Sequence, residues 1–182
     1  MSRIAIINGS PRGSGVDSGI ASMITEEFPE RGHSVDVISI HGLDIRGCKG
    51  CMSCRKTGEC VQDDEMKGII ERIRHSDMLI LMSPIYFGAE TGPMKTFTDR
   101  LTFTFTEKMP LGDVRAASVL LTCADPEGYR KYDATLKRML DMVGYLKVGE
   151  YRGRIMGGES PDTVRTSPKV RDYLDGLISM IE

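Results

Sequence analysis

Cys48, Cys51, Cys54 and Cys60 stand in the order Cys-x2-Cys-x2-Cys-x5-Cys, and soft thiolate ligands three residues apart suit one small inorganic core. A fourth thiol six positions further on lets one short loop supply the whole coordination sphere, so an iron-sulfur redox centre is the favoured reading. Zinc, disulfides and free thiols are the other readings of the same four residues. Structural zinc usually draws its ligands from two separated pairs, which relieves crowding around a tetrahedral ion. Disulfides need an oxidising compartment, whereas the chain starts at Met1 and runs straight into an apolar strand pattern with no secretory segment ahead of it. Free thiols stay open, because spacing does not report whether a metal is inserted.

A second chemical feature follows the first apolar run: Asn8-Gly9-Ser10-Pro11-Arg12-Gly13-Ser14-Gly15-Val16-Asp17-Ser18-Gly19, with a helix expected from near Gly19. Small residues let backbone N–H groups approach an anion, the hydroxyls of Ser10, Ser14 and Ser18 add donors, and Arg12 adds charge. The helix N-terminus contributes its dipole, so the segment reads as a phosphate cradle. No Gly-Lys-Ser or Gly-Lys-Thr closes it, which removes the lysine and the magnesium-binding hydroxyl of a triphosphate site. Gly13 and Gly15 come too late for a dinucleotide fingerprint, and Ser18 takes the place of its third glycine. A mononucleotide such as FMN, with one terminal phosphate, fits the loop better.

The elements that must position these groups alternate along the chain. Short runs rich in branched apolar residues at 3–7, 35–40, 78–83, 116–122 and 147–151 predict five strands, and helical patterns at 64–74 and 129–143 fall between them. Strands that are apolar throughout are buried on both faces, so the sheet should be parallel and covered by helices on each side. The site should then gather at the carboxyl ends of the strands. The 182 residues, 40% of them hydrophobic, suffice for one core, and a single domain over 1–182 is expected with the cysteine loop 47–62 inserted after the second strand. A formal charge of -2 gives no basic field for nucleic acid, and no apolar run reaches the roughly 20 residues that cross a bilayer. A cytoplasmic protein is expected, with neither nucleic acid nor membrane as partner. The stretch 153–168 reads as a long loop before a final helix.

Taken together, Asn8-Gly9-Ser10-Pro11-Arg12, the four-cysteine loop followed by Asp63-Asp64, Ser83-Pro84-Ile85-Tyr86-Phe87-Gly88 and Lys95-Thr96-Phe97-Thr98-Asp99-Arg100 carry a family resemblance. The chain resembles the iron-sulfur flavoproteins within the flavodoxin-like NADPH-dependent FMN reductase superfamily, over nearly its whole length. The resemblance implies a doubly wound α/β fold of three layers with a five-stranded parallel sheet in the order 2-1-3-4-5. It further implies FMN held by the first- and third-strand loops, a 4Fe-4S cluster on Cys48, Cys51, Cys54 and Cys60, and a homodimer or homotetramer. Ser10, Arg12 and Ser18 would hold the phosphate, and Pro84, Ile85, Tyr86, Phe87 and Gly88 would meet the flavin. The loop with Thr122, Asp125 and Gly128 would lie beside the ring. Related reductases with similar loops have no cluster.

Within that frame Pro84 restricts the chain, Gly88 permits close approach, and Tyr86 and Phe87 could pack on the flavin or on a neighbouring subunit. Lys95, Asp99 and Arg100 read as i,i+4 and intersubunit ion-pairing residues, with no part in catalysis. Cys123 reads as a small buried hydrophobe at a strand end. The three histidines share no spacing, so no hydrolytic triad and no catalytic side chain is expected. The leading function is an electron-transfer flavoprotein using FMN and a cluster, with ferredoxin or a similar carrier as partner. The alternatives are a cluster-free NAD(P)H-dependent FMN or quinone reductase, and a non-enzymatic binding module stapled by zinc or thiols. The loop at 153–168 is expected to cover a neighbouring subunit's flavin.

Overall fold

The computed structural model describes residues 1–101 and 111–182. Its strands are β1 (Arg3–Asn8), β2 (Ser34–Ser39), β3 (Met78–Tyr86), β4 (Ala89–Glu90), β5 (Ala116–Cys123) and β6 (Glu150–Gly157). Its helices are α1 (Val16–Glu27), α2 (Ser53–Thr57), α3 (Met66–Arg74), α4 (Gly92–Arg100), α5 (Gly128–Lys131), α6 (Asp133–Tyr145) and α7 (Pro168–Ile178). Alternation along three central strands decides the layering. Ala5 and Ile7 of β1, Leu79 and Leu81 of β3, and Ala117, Val119 and Leu121 of β5 face one way and meet Ile69 and Ile73 of α3, Phe97 of α4 and Met139 and Val143 of α6. Ile4 and Ile6, Met78, Ile80 and Met82, and Ala116 and Leu120 face the other way and meet Ile20 and Ile24 of α1 and Val170, Leu174 and Leu177 of α7.

The long strands pair in parallel in the order β2-β1-β3-β5-β6, and the short β4 pairs only with β3. With that hairpin set aside, the order is the predicted 2-1-3-4-5. Right-handed crossovers explain which face each helix takes. The β1-to-β2 step runs towards one sheet edge and puts α1 on one face, whereas the later steps run the opposite way and put α3, α4 and α6 on the other. The reversal falls between β1 and β3, so the loops leaving their carboxyl ends diverge and open a crevice there.

Four boundaries differ from the sequence expectation. The first helix begins at Val16, not near Gly19, and the helix expected at 129–143 is split into α5 and α6. β3 continues to Tyr86 and turns through Phe87 (φ 50°) and Gly88 (φ 81°) into β4, a two-residue hairpin turn with both residues left-handed. The fifth parallel strand runs over Glu150–Gly157, not 147–151, and thereby takes up the first five residues of the supposed loop. As an edge strand it is exposed along its first half and carries Arg152 and Arg154, so no apolar run announces it. Lys147, at φ 59°, belongs to the turn that leaves α6. Among the described residues no helix is long and apolar enough to cross a membrane.

Candidate functional site

The β1 loop is held in shape by its own short polar side chains. Asn8 Oδ1 accepts the Ser10 N–H at 2.9 Å, Ser10 Oγ accepts the Arg12 N–H at 3.3 Å, and the Ser18 hydroxyl donates to the Arg12 carbonyl at 2.9 Å. These local bonds turn the chain away from β1 and into α1. The N-cap position of α1 is Gly15, which has no side chain to cap the first-turn N–H groups, and these are left for an incoming anion.

Thr91 fixes the same loop from the opposite side. It caps α4 by accepting the Met94 N–H, and its hydroxyl donates to the Gly9 carbonyl at 2.8 Å. Its own N–H donates to Ser83 Oγ at 3.0 Å, so one buried threonine joins the ends of β1 and β3 to a helix. Thr91→Val keeps the volume and removes both hydroxyl bonds, and it is expected to cost about 1–2 kcal/mol, read as a lower urea midpoint at unchanged slope.

A cavity of about 440 Å³ opens at the switch point, a size common for small-molecule sites. One wall is the β1 loop with Ser10, Arg12 and Ser14, the second is the end of β3 with Pro84, Ile85 and Tyr86, and the third is the end of β5 with Thr122 and Cys123. Glu159, Ser160 and Pro161 close the fourth side. The connection after β6 thus lines the cavity of its own chain. It is tied down by Arg165 pairing with Glu26 of α1 at 2.7 Å.

Of the residues singled out from sequence, Ser10, Arg12, Pro84, Ile85, Tyr86 and Thr122 meet at this cavity. Ser18 stands behind the loop as a staple, and Phe87 is fully exposed at the hairpin tip. The Gly88 carbonyl accepts the Thr135 hydroxyl of α6. Asp125 and Gly128 pack around Cys123: the Cys123 thiol donates to the Asp125 carbonyl at 3.4 Å, and a Cβ on Gly128 would lie 2.2 Å from its sulfur. Burial raises the Cys123 thiol, which therefore stands in the wall as a neutral group. Sequence reasoning did not assign Asp17, Cys123 or Glu159 to the site. The Asp17 carboxyl is buried beneath the β1 loop, and burial raises it to about 6 despite the opposing hydrogen bond from Thr122.

The cysteine loop lies between β2 and α3 and bends sharply at Gly50, Met52 and Gly58, all of positive φ. Cys48 and Cys51 are exposed, Cys54 and Cys60 half-buried, and all are free thiols. Hydrogen bonds from Ser53 lower the Cys51 thiol. Among the described residues no three Cys, His, Asp or Glu side chains converge closely enough to share an ion. The thiols therefore suit a cluster by number, softness and freedom, while their arrangement is not closed around one.

Arg100 anchors this loop to the fold. Its guanidinium meets Asp64 at 2.6 and 3.0 Å, donates to the Arg46 carbonyl at 2.7 Å and reaches the Cys60 sulfur at 3.4 Å. It points inward, where an intersubunit contact was expected, whereas Lys95 and Asp99 form the expected i,i+4 pair.

A sequence profile of the NADPH-dependent FMN reductases matches residues 2–155. The chain belongs to the NADPH-dependent FMN reductase family. An iron-sulfur flavoprotein of Archaeoglobus fulgidus is 34% identical over 98 residues, which are 54% of this chain and 48% of that protein, so the chain spans about half of that relative's length. An iron-sulfur flavoprotein of Methanosarcina thermophila is 27% identical over 182 residues, covering 95% of each chain. The solved NAD(P)H:quinone oxidoreductase from Methanothermobacter marburgensis superposes with a TM-score of 0.76 at 20% identity, covering 97% of this chain and 96% of that one, and has the same fold.

Proposed function

We propose that this family member binds FMN in the strand-end cavity and passes electrons between a reduced donor, NAD(P)H or a protein carrier such as ferredoxin, and an acceptor. The observation that carries the reading is the juxtaposition of an uncapped helix N-terminus and Arg12 with the largely apolar end of β3 across one cavity of about 440 Å³. Bound FMN supplies transfer of a hydride or of single electrons. Ser10, Arg12 and the first turn of α1 hold the phosphate, and Ser18 keeps the loop in the binding shape. Pro84, Ile85 and Tyr86 present backbone groups and apolar surface to the ring, and Thr122 and Cys123 exclude water from its far side.

Cys48, Cys51, Cys54 and Cys60 would hold a 4Fe-4S cluster, which transfers single electrons. Their number and freedom, and the names of the relatives, support this assignment. The cluster-free NAD(P)H-dependent reductase is the second reading, favoured by the open arrangement of the thiols. A homodimer or homotetramer is the assembly that the family resemblance implies. A cytoplasmic site of action fits these redox partners.

The test is an anaerobic visible spectrum of freshly purified protein, with FMN, iron, acid-labile sulfide and zinc quantified on the same sample. One FMN with about four irons per chain supports the cluster-bearing reading. FMN without iron after anaerobic reconstitution leaves the NAD(P)H-dependent reductase. A colourless protein holding zinc overturns both.

A further inference from the structure

Asp17 places a carboxyl group in a cradle otherwise suited to an anion. It occupies the first turn of α1 in the cavity wall, and only 2% of its surface is exposed. Its Oδ2 accepts the Thr122 hydroxyl at 2.8 Å, whereas Oδ1 has no hydrogen-bond partner. A buried carboxylate is normally paired with a cation or held by several donors, because an unshielded ion is costly in a low dielectric. Its own backbone N–H and its place in the first turn of α1 favour the ionised form, but burial outweighs them and the surrounding elements add little. The β1 loop brings Arg12, which is exposed, and the connection after β6 brings the like charge of Glu159. β5 contributes the neutral Cys123, and α7 contributes Lys169, whose ammonium donates to the Gly157 carbonyl, and Tyr173, a buried phenol that burial keeps protonated. Among the described residues no cation forms an ion pair with Asp17.

We propose that Asp17 is a specificity-determining residue of the FMN site, which must carry a proton when the cofactor's phosphate is bound. The inference rests on the placement of FMN in this cavity. Two like charges brought together in one cradle, one of them on a buried carboxyl, disfavour each other, and the group that gains less from its surroundings takes the proton. Arg12 and the α1 N-terminus favour the phosphate dianion, whereas Asp17 is already raised by burial to about 6. A protonated Asp17 also has a hydrogen to donate, so it changes from a repelling group into a binding one.

The linkage has a definite sign. The protonated form binds, so FMN binding takes up a proton, and affinity is lost as the pH rises above the free-protein value of about 6. The loss approaches tenfold per pH unit until the higher value of the complex is passed, at about the level set by one proton. Apoprotein is titrated with FMN by flavin fluorescence between about pH 6.5 and 8.5, where a free phosphate monoester is already largely dianionic. The wild-type Kd is expected to rise about tenfold or more across that window.

Asp17→Asn keeps an oxygen for Thr122 and is expected to bind with a flat profile. Thr122→Val removes the bond that favours the ionised carboxyl and is expected to move the onset to higher pH. Riboflavin, which lacks the phosphate, is expected to show no slope with any of these proteins, whose far-UV circular dichroism should coincide. A flat wild-type profile, or an equal slope in Asp17→Asn, overturns the inference and leaves the FMN site standing. Equal binding of FMN and riboflavin at every pH overturns the phosphate placement and the inference with it. Failure of wild-type protein to bind either flavin overturns the proposed function.

Discussion

Replacing Arg100 by methionine is expected to cost about 3–5 kcal/mol of folding stability and to release the cysteine loop from the domain. The Arg100 and Asp64 side chains are 2% and 0% exposed, so the pair has left water almost completely. Desolvation is offset only because each charge finds several partners. Asp64 also accepts the N–H groups of Arg46 and Met66, which join the start of the cysteine loop to α3. Burial alone would push the Asp64 carboxyl up, but the Arg100 and Arg46 hydrogen bonds hold it below the ordinary carboxylate range. Its contribution is therefore present above the unfolded value of about 4 and is lost as the pH falls through the depressed folded value. Methionine fills much of the arginine's volume and leaves the buried Asp64 carboxylate with only the more distant, half-exposed Arg46 guanidinium at 3.7 Å. The urea midpoint should fall by roughly 2 M for a slope of about 2 kcal/mol/M, and limited proteolysis should cut within residues 47–62. Arg100→Met combined with Asp64→Leu should recover most of the loss, because both costly charges are then gone. A single-variant cost below about 1 kcal/mol would show that water reaches the pair.

This ion pair also marks where reading the chain stops being sufficient. Lys95 and Asp99 were legible as partners because four residues of helix bring them together whatever surrounds the helix. Arg100 is one position further on, and its inward direction depends on Asp64, which reaches it only after β2, the cysteine loop and α3 have folded. The strand order was legible for the opposite reason. Ile4 to Ile7, Met78 to Met82 and Ala116 to Leu121 are apolar on both faces, a pattern that only central parallel strands require, and the switch point follows from the order. β6 was misplaced because half of it faces solvent and its pattern is mixed. That Ser10 and Arg12 stand at the strand-end cavity was legible from local chemistry. The significance of Asp17 was not, since its burial comes from contact with Thr122, 105 positions away.

Gly157 shows how closely the cavity's far wall is fitted, and Gly157→Ala is expected to cost about 3 kcal/mol and to weaken FMN binding about tenfold or more. The residue ends β6 opposite Cys123 of β5, and the next N–H, from Gly158, donates to the Cys123 carbonyl at 3.0 Å. A Cβ at this position would lie 2.1 Å from the Asp125 carbonyl oxygen, 3.1 Å from its carbon and 3.2 Å from the Pro126 oxygen. Its φ lies outside the left-handed region, so alanine is excluded by lack of space and not by backbone conformation. The obstacle is main chain, which no side-chain rotation relieves, so the segment from Cys123 to Pro126 must lift away from β6. That segment carries Cys123 and Ala124 into the cavity wall, and its displacement opens the side that Thr122 and Cys123 close to water. Gly68→Ala is the matched control: Gly68 lies in α3 with nothing within 4 Å of a new Cβ, and the change is expected to gain about 0.5–1 kcal/mol with FMN affinity unchanged. Urea unfolding and flavin titration on both variants separate packing from binding. Loss of stability in Gly157→Ala at unchanged FMN affinity would place the flavin away from the β5 wall, and no loss of either would mean that the loop has room to move.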